Sequence, residues 1–402
     1  MGFNIWTDCP RVPITQLLEF IVDNRGKTVP TAPSGHKLIA TNCVTNNTLF
    51  PVYEKIRYLS DETYRTWFRA HPIPGDILFV NKGTPGRVCM VPDPIDFCIA
   101  QDMIALRADD SKIYNKYLFA VLRSHEIQQQ IYNTNVGDVI PHFKKQFMDQ
   151  LLIPVPDRKI QEAIGDLYYA LSYKVEHNKK INDNLQQQAY AYFLQLFVEN
   201  ADPSWRIGTI SDLGTVVGGG TPSKAKLEYY TEDGIAWITP KDLSIDKSKF
   251  IAHGENDISE LGYRNSSATM MPAGTVLFSS RAPIGYIAIA SNDVTTNQGF
   301  KSVVPHSDIG TPYVYYFLIH NLPLIESKAS GSTFKEVSGS VMKSVEAVIP
   351  DSATLAKFND FCTPIFEMQA KLEQENRKLA AMRDSLLPRL MSGEIDVSDI
   401  AI

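Results

Sequence analysis

The most regular feature of the chain is a heptad repeat of apolar side chains near its end, between Thr354 and Met391. The first row occupies one position in every seven: Phe358, Ile365, Leu372, Leu379 and Leu386. A second, partial row consists of Phe361, Met368 and Met382. Spacings of three and four residues place such rows along one side of an α-helix, as in the seam of a coiled coil. The pattern predicts a long helix that pairs with another helix.

The same period occurs earlier, in residues 160–197, where the matching position to Phe358 lies 194 residues before it. The apolar positions of this earlier row are Ile164, Leu171 and Leu185. Each heptad segment follows a short apolar strand that ends in proline, LLIPVP at 151–156 and EAVIP at 346–350. Two unrelated helices that share a common pattern are one explanation. Sustained heptads favour the other, in which the two helices pair with each other.

The rest of the chain alternates strand-like runs with turn signals, and this order occurs twice. The first half contains GHKLIATNCVT (35–45), PGDILFVNKGTPGRVCMV (74–91) and one helical stretch, NKYLFAVLRSHEIQQQIY (115–132). The second half contains GIAWITPKDLS (234–244) and PAGTVLFSSRAPIGYIAIA (272–290). A long-range repeat of this kind predicts an internal duplication.

The predicted fold is therefore α+β, with two duplicated globules separated by an antiparallel two-helix coiled coil and related by a pseudo-twofold axis. The pairing is antiparallel because each helix follows its own globule, so that one helix must run back along the other. The predicted divisions are a first globule at 1–155, a central helix at 156–200, a second globule at 201–351 and a C-terminal helix at 352–394.

Composition and charge restrict the function only slightly. Hydrophobic residues make up 44% of the chain and charged residues 21%, as in an ordinary globular protein. The net charge of −6 does not indicate nucleic-acid binding, but a local basic patch or a partner subunit could supply a positive field. The five cysteines are scattered without a CxxC pair, and no stretch has the roughly 18 apolar residues of a membrane span. The expected location is the cytoplasm.

Catalytic motifs are absent from the sequence apart from one permissive match. The GKT at 26–28 lacks the earlier glycine that a phosphate-binding loop needs at position 21. The patterns GxSxG and HExxH do not occur, and neither does the [D/N]PP[Y/F] of amino-methyltransferases. Asp93, Asp110 and Lys112 fit a loose pattern of magnesium-dependent nucleases, but the second half has no counterpart. We predict no catalytic residue, no metal site and no cofactor.

Polar, glycine-rich loops recur at matching places in both halves. Glycine lets backbone N–H groups approach phosphates, and Arg, Asn and Gln have the paired groups that read base edges. In the first half the candidate DNA-binding residues are Arg25, Lys27, Thr28, Lys82, Thr84, Arg87, Gln101, Lys144 and Lys145. In the second half they are Gly219, Gly220, Thr221, Ser223, Lys241, Ser279, Ser280, Arg281, Asn297, Gln298, Ser332, Thr333 and Lys335. Any single loop could be a plain turn, but their recurrence favours a binding surface.

Several strings, in this order, resemble the DNA-specificity subunits of Type I restriction–modification systems. They are IVDNRGKTVP, NKKINDNLQQQAYAYF, GGGTPS, SSRAPIG followed by NQGF, GSTFKEVSGSVMKSVEAVIP and ENRKLAAMRDSLLPRLMSGEIDV. The first half departs from the family form, with NKGTPG in place of SSRAPIG. The resemblance implies two target-recognition domains that each read half of a bipartite site in double-stranded DNA.

The same resemblance implies that the antiparallel helices set the gap between the half-sites and bind two methyltransferase (modification) subunits, with restriction subunits joining where a nuclease is present. S-adenosylmethionine, ATP and Mg²⁺ would then be bound by the partners and not by this chain. Two other hypotheses remain: a nuclease that acts through Asp93, Asp110 and Lys112, and a duplicated scaffold that joins two protein partners without touching DNA.

Overall fold

The computed structural model describes residues 4–24, 28–134, 141–331 and 335–396. The chain forms two compact units. Unit 1 comprises Met1–Asn178 with Glu375–Ile402, and unit 2 comprises Lys179–Gln374. The two long helices each contribute residues to both units, so each unit contains one globule and part of each helix.

Unit 1 contains nine strands and four shorter helices among its described residues, followed by the first long helix. The strands are β1 Arg11–Pro13, β2 Leu18–Val22, β3 His36–Ile39, β4 Arg57–Leu59, β5 Ile77–Val80, β6 Val88–Met90, β7 Phe97–Ile99, β8 Met103–Ala108 and β9 Leu152–Pro154. The helices are α1 Ile5–Asp8, α2 Asp61–Thr66, α3 Asn115–Leu122, α4 His125–Thr134 and the long α5 Arg158–Leu194.

Strand β5 is the centre of unit 1. It lies in a four-stranded sheet of order β2-β8-β5-β6, next to a three-stranded sheet of order β4-β3-β7 and a two-stranded β1-β9 pair. Successive side chains of a strand point to opposite faces. Ile77 and Phe79 accordingly join the core formed with α3, α4 and α5, whereas Leu78 and Val80 join a second core against β3 and β7. Both faces of β5 are buried, which explains its continuous apolar sequence.

Unit 2 contains eleven strands among its described residues and the remaining helices. The strands are β10 Arg206–Thr209, β11 Gly214–Gly218, β12 Tyr230–Thr231, β13 Ile235–Ile238, β14 Phe250–Ile251, β15 Asn256–Ile258, β16 Val276–Ser280, β17 Ile284–Ala290, β18 Thr295–Thr296, β19 Lys301–Pro305 and β20 Glu346–Ile349. The helices are α6 Ile210–Leu213, α7 Pro240–Ile245, α8 Glu260–Arg264, α9 Thr311–His320, α10 Leu322–Ser327, α11 Gly339–Ser344 and α12 Ser352–Met391.

The two units share one sheet topology. The order β11-β19-β16-β17 repeats β2-β8-β5-β6, and unit 2 adds β14 at the edge. The order β15-β13-β18 repeats β4-β3-β7, with the same combination of one antiparallel and one parallel pair. The pair β10-β20 repeats β1-β9. The predicted α+β duplication is confirmed.

Within each unit the two long helices are antiparallel. In unit 1, the Lys174 ammonium lies 3.7 Å from the Glu375 carboxylate, and Ile164 shares a core with Leu390. In unit 2, the Gln369 side chain donates a hydrogen bond of 3.1 Å to the carbonyl oxygen of Asn182. Of the predicted pairing residues, four are buried: Ile164, Phe358, Ile365 and Leu372. The other four are partly buried: Leu171, Leu185, Leu379 and Leu386.

Two sequence predictions about helices are wrong. The second heptad row of α12, Phe361, Met368 and Met382, is 41–50% exposed, because the helix also packs on the globule and turns Phe366 towards the Phe250 ring instead. The single helix predicted at 115–132 is two helices, α3 and α4. The Ser124 hydroxyl between them donates to the carbonyl oxygen of Val121 at 2.6 Å, a local hydrogen bond that competes with a continuous helix.

No helix in the described ranges is both long enough and apolar enough to cross a membrane.

Candidate nucleic-acid interface

In unit 2, four separate stretches of the chain meet beyond the end of β16. The Gly220 N–H donates to the carbonyl oxygen of Thr296 at 2.9 Å, and the Ser280 N–H donates to that of Gly299 at 2.7 Å. The Val337 N–H donates in turn to the carbonyl oxygen of Ser280 at 3.0 Å. These bonds bring together four stretches that contain or adjoin predicted binding residues, around Gly220, Ser280, Asn297 and Val337.

A cleft of about 710 Å³ lies among these loops. Its lining includes five of the predicted residues: Thr221, Lys241, Arg281, Asn297 and Gln298. It also includes residues that the sequence did not single out as ligands: Lys224, Leu227, Tyr230, Trp237, Thr239, Pro240, Asp242, Glu255, Asn256, Ala282 and Gly299. Cationic, amide and aromatic groups thus face one space, which is the mixture that nucleic-acid interfaces use.

Carboxylates pair with two of the cations that line the cleft, Lys241 and Arg281. The Arg281 guanidinium lies 3.4 Å from the Glu336 carboxylate, and the Lys301 ammonium lies 3.6 Å from the same group. Lys241 bonds Glu255 at 2.5 Å, and this hydrogen bond raises the pKa of the Lys241 ammonium. Since about a third of the Arg281 side chain is exposed, its guanidinium can exchange this partner for a phosphate or a base edge.

The amide and aromatic groups of the cleft are also oriented. The Asn297 side-chain oxygen accepts from the Gly299 N–H at 2.8 Å, and the Thr221 hydroxyl donates to the Gln298 side-chain oxygen. The Trp237 indole N–H donates to the carbonyl oxygen of Gly220 at 3.0 Å. Trp237 is buried, but one edge lines the cleft. The folded structure shows that Trp237 lines the cleft, whereas its neighbours in the sequence do not indicate this position.

Ser279 and Ser280 do not face solvent, contrary to their prediction as DNA contacts. Both are fully buried. The Ser279 hydroxyl donates to the carbonyl oxygen of Pro283 and accepts from the Tyr286 N–H, both at 2.8 Å. The Ser280 hydroxyl donates to the carbonyl oxygen of Gly299 at 3.0 Å. These two serines shape the loop that presents Arg281.

Gly219 and Gly220 are required by close packing between loops. A Cβ atom at Gly219 would lie 2.0 Å from the carbonyl oxygen of Asn297, and one at Gly220 would lie 2.3 Å from the backbone of Ser267. The sequence predicted glycine here for approach to a phosphate. The structure shows a second reason, approach of one polar loop to another.

Unit 1 builds the same loop junction. The Asn81 N–H donates to the carbonyl oxygen of Asp102 at 2.9 Å, and the Phe143 N–H donates to that of Asn81 at 2.8 Å. Lys82 pairs through its backbone with His142, as Arg281 pairs with Glu336. Asn81 and Lys82 therefore occupy the places of Ser280 and Arg281, which makes Lys82 the structural counterpart of Arg281.

The predicted DNA-binding residues differ in exposure. Exposed residues are Thr28, Lys82, Arg87, Lys144, Lys145, Ser223, Lys241, Gln298 and Lys335. Partly buried residues are Thr84, Gln101, Gly219, Thr221, Arg281 and Asn297, and buried residues are Gly220, Ser279 and Ser280. Arg25, Lys27, Ser332 and Thr333 lie outside the described residues. Lys145 lies 3.3 Å from the Asp23 carboxylate.

The residues of the nuclease hypothesis do not form a shared site. The Asp110 carboxylate pairs with Arg158 at 2.9 Å, and the Lys112 ammonium pairs instead with Asp109 at 2.8 Å. Among the described residues, no group of three or more His, Cys, Asp or Glu side chains is placed to hold a metal ion.

Comparison with known proteins supports one family. The family described as "Type I restriction modification DNA specificity domain" matches residues 29–187 and again 203–378. The MjaIX specificity subunit of Methanocaldococcus jannaschii is 38% identical over 181 residues, covering 44% of this chain and 42% of that subunit, less than half of its length. The HindI specificity subunit of Haemophilus influenzae is 23% identical over 402 residues, covering 80% of this chain and 86% of that subunit.

A solved structure has the same fold. The S subunit of the Type I restriction–modification system from M. genitalium superimposes with a TM-score of 0.55 at 16% sequence identity, over 95% of both chains. The family match covers most of the chain, and its two copies correspond to the two halves of the duplication. The chain therefore belongs to the family of Type I restriction–modification DNA-specificity proteins.

Proposed function

We propose that this chain is the specificity subunit of a Type I restriction–modification complex, in which each globule reads one half of a bipartite site in double-stranded DNA. The observation that carries the proposal is the loop junction built twice. In each unit, equivalent backbone hydrogen bonds gather polar loops from distant parts of the chain, at Asn81 and at Ser280. Both junctions lie within the two stretches that match the family.

The chain itself is not an enzyme in this proposal. Catalysis, with its S-adenosylmethionine, ATP and Mg²⁺, belongs to two modification subunits and, where a nuclease is present, to restriction subunits. The expected setting is the cytoplasm of a prokaryote, which agrees with five cysteines that are all free thiols. Phe361 and Met368 on α12 are large apolar side chains that remain 41% and 48% exposed, and they offer a surface for a partner helix.

The paired helices supply the spacing between the half-sites. Half-sites about one helical turn apart present the same face of B-DNA, roughly 34 Å between centres. A reading domain attached to a stiff helical pair can hold that distance, whereas a flexible linker could not. The net charge of −6 indicates weak binding by the chain alone, so the modification subunits complete the positive surface around the DNA.

The proposal is tested at Arg281. The chain is purified with its modification subunits, and its bipartite site is identified by methylation mapping of the source genome. Arg281→Ala should then weaken equilibrium binding to that duplex by about tenfold or more, since it removes a charged contact with phosphate or base. Arg264→Ala is the matched control, because Arg264 is an exposed arginine of the same unit that pairs with Glu260 and does not line the cleft.

Two results would contradict the proposal. A complex without any sequence preference for DNA, although fully assembled, would favour the scaffold hypothesis. Equal binding by the Arg281→Ala and Arg264→Ala complexes would show that the cleft is not the interface. Methylation mapping also has a positive control, since exchanging one globule for that of a relative should change only one half of the methylated motif.

A further inference from the structure

In unit 2, a glutamate of the long helix α12 binds the edge of the central sheet. The carboxylate of Glu373 accepts from the Lys249 N–H at 2.8 Å and from the Phe250 N–H at 3.0 Å. On its other side the same short segment bonds the sheet, because the Ile289 N–H donates to the carbonyl oxygen of Lys249 at 2.7 Å. The edge strand β14 is thereby held between the globule and the helix.

The side chain of Lys249 closes this attachment. It is 8% exposed, its ammonium nitrogen lies 2.6 Å from the Gln369 side-chain oxygen, and it lies 4.1 Å from the centroid of the Phe366 ring. Both of these partners belong to α12, one and two turns before Glu373. The Lys249 side chain and its partners on α12 exclude water from this contact. The hydrogen bonds to the Glu373 carboxylate are therefore stronger than they would be in competition with solvent.

Unit 1 has the counterpart on the other long helix, α5. The Leu49 N–H donates to the Glu176 carboxylate at 3.4 Å, and the Met90 N–H donates to the carbonyl oxygen of Leu49 at 2.7 Å. Met90 pairs with the central strand of its sheet as Ile289 does in unit 2. A buried arginine, Arg123, supports this loop through the backbone carbonyls of residues 45, 48 and 88. The two units thus use one device, a helix glutamate that accepts from the same loop of the globule.

We propose that Glu373 and Glu176 are positioning residues that fix the angle between each recognition globule and its helix, and that they thereby limit the half-site spacings that the protein accepts. The inference rests on the proposed function. A rotation of about 10° at the anchor moves a point about 20 Å away by roughly 3.4 Å, which is the rise of one base pair. A looser anchor should therefore widen the accepted spacing without changing which bases are read.

The test uses selection from a pool of random DNA duplexes by the full chain assembled with its modification subunits. Glu373→Gln keeps the shape of the side chain and removes its charge. We expect the variant to enrich the same two half-sequences as the wild type. Enrichment of duplexes whose gap is one base pair longer or shorter should increase about tenfold, which corresponds to the loss of a charge-assisted hydrogen bond. Glu176→Gln should behave alike.

Glu367→Gln is the matched control, because Glu367 is an exposed residue of the same helix. Hydrogen exchange at the amides of Lys249 and Phe250 provides a reading that does not involve DNA, and only Glu373→Gln should accelerate it. Faster exchange with an unchanged spacing profile would overturn the positioning role and leave the proposed function intact. A wild-type complex that enriches no split motif would refute the proposed function and this inference together.

Discussion

At the scale of single residues, the ammonium group of Lys249, which lies between the edge strand β14 and helix α12, has a strongly shifted pKa. Burial lowers the pKa of its ammonium to about 7, against the opposing attraction of the Glu373 carboxylate and the Cys362 thiol. The other titratable groups around it are the hydroxyls of Tyr315 and Tyr316, whose pKa values burial raises, so that they stay neutral. The amine is therefore easily discharged in the folded protein, where it can still donate to Gln369.

This environment predicts that the contribution of Lys249 to the free energy of unfolding rises with pH above neutrality. The unfolded chain keeps the Lys249 proton to about pH 10.4, while the folded chain loses it near pH 7. Between these values the unfolded state binds more protons, so the free energy of unfolding increases with pH by up to about 1.4 kcal/mol per pH unit. Lys249→Met removes the titrating group. The free energy of unfolding is measured by urea unfolding at pH 7 and pH 9. Between these two values it should increase more, or decrease less, for the wild type than for Lys249→Met.

The exposed Lys328 provides the control for this measurement. For Lys328→Met, the change in the free energy of unfolding between pH 7 and pH 9 should equal that of the wild type. If the Lys249→Met profile also ran parallel to the wild type, the Lys249 ammonium would keep an ordinary pKa in the folded protein. The hydrogen bond to Gln369 would then be that of a charged donor.

Individual site residues were harder to predict than the loops that contain them. Glycine and small polar residues place a loop correctly because they govern local backbone geometry. Burial depends on the neighbours that a loop meets, so the hydroxyls of Ser279 and Ser280 could equally have faced DNA or the loop's own backbone. Glu336 shows the same limit, since nothing near it in the sequence indicates that Arg281 and Lys301 both approach its carboxylate.

At the scale of secondary-structure elements, one buried amide marks the pairing of the long helices. Asn178 is fully buried, and its side-chain N–H groups donate to the Glu375 carboxylate and to the Asn376 side-chain oxygen, both at 2.9 Å. Asn178 stands in the heptad row between Leu171 and Leu185, so it interrupts the apolar seam. A polar residue in a seam can specify register at a cost in stability.

Asn178→Asp tests this contact with almost no change in shape. The new carboxylate would lie against that of Glu375, and the repulsion should destabilise unit 1 by on the order of 1–3 kcal/mol at pH 7. Protonation of either group relieves the repulsion, so the loss of stability should shrink below about pH 5. Thermal unfolding at pH 7 and pH 4.5 measures both effects. Asn184→Asp, on the exposed side of the same helix, should change stability little at either pH.

Heptad spacing predicted the existence of the helices, and the order of globules and helices along the chain predicted their direction, but neither predicted their full buried faces. The first row of α12 faces α5, as the contact between Phe358 and Phe193 shows, and a period of seven detects such pairing directly. The prediction that the second row is also buried was wrong because the globule packs on α12 as well. Phe366 packs on Tyr315 of α9, whereas Phe361 contacts Tyr192 of α5 and stays 41% exposed. A pattern within one segment carries no information about contacts with residues distant in sequence.

At the scale of the whole molecule, the duplication was predictable because the repeats preserve order and spacing over nearly 200 residues. Equivalent strands follow one another in the same topology, and Gly86 and Gly285 even share a positive φ, 88° and 93°. The added edge strand β14 was not predictable, since Phe250–Ile251 is too short to register as a strand. That small difference matters, because β14 is the segment that Glu373 holds.

The chain passes between the units at two junctions, Asn178–Lys179 and Gln374–Glu375. One heptad inserted at both junctions would lengthen both helices by about 10 Å and leave the contacts within each unit intact. We expect the preferred gap between half-sites to grow by about three base pairs, since each adds roughly 3.4 Å, with both half-sequences unchanged. Three base pairs also turn the duplex by about 100°, whereas a heptad turns the helix pair by only about 20°. Affinity should therefore fall even at the new optimum.

An insertion in one helix alone leaves seven residues unpaired and should abolish a defined gap. If the double insertion kept the original gap, the helices would not determine the spacing.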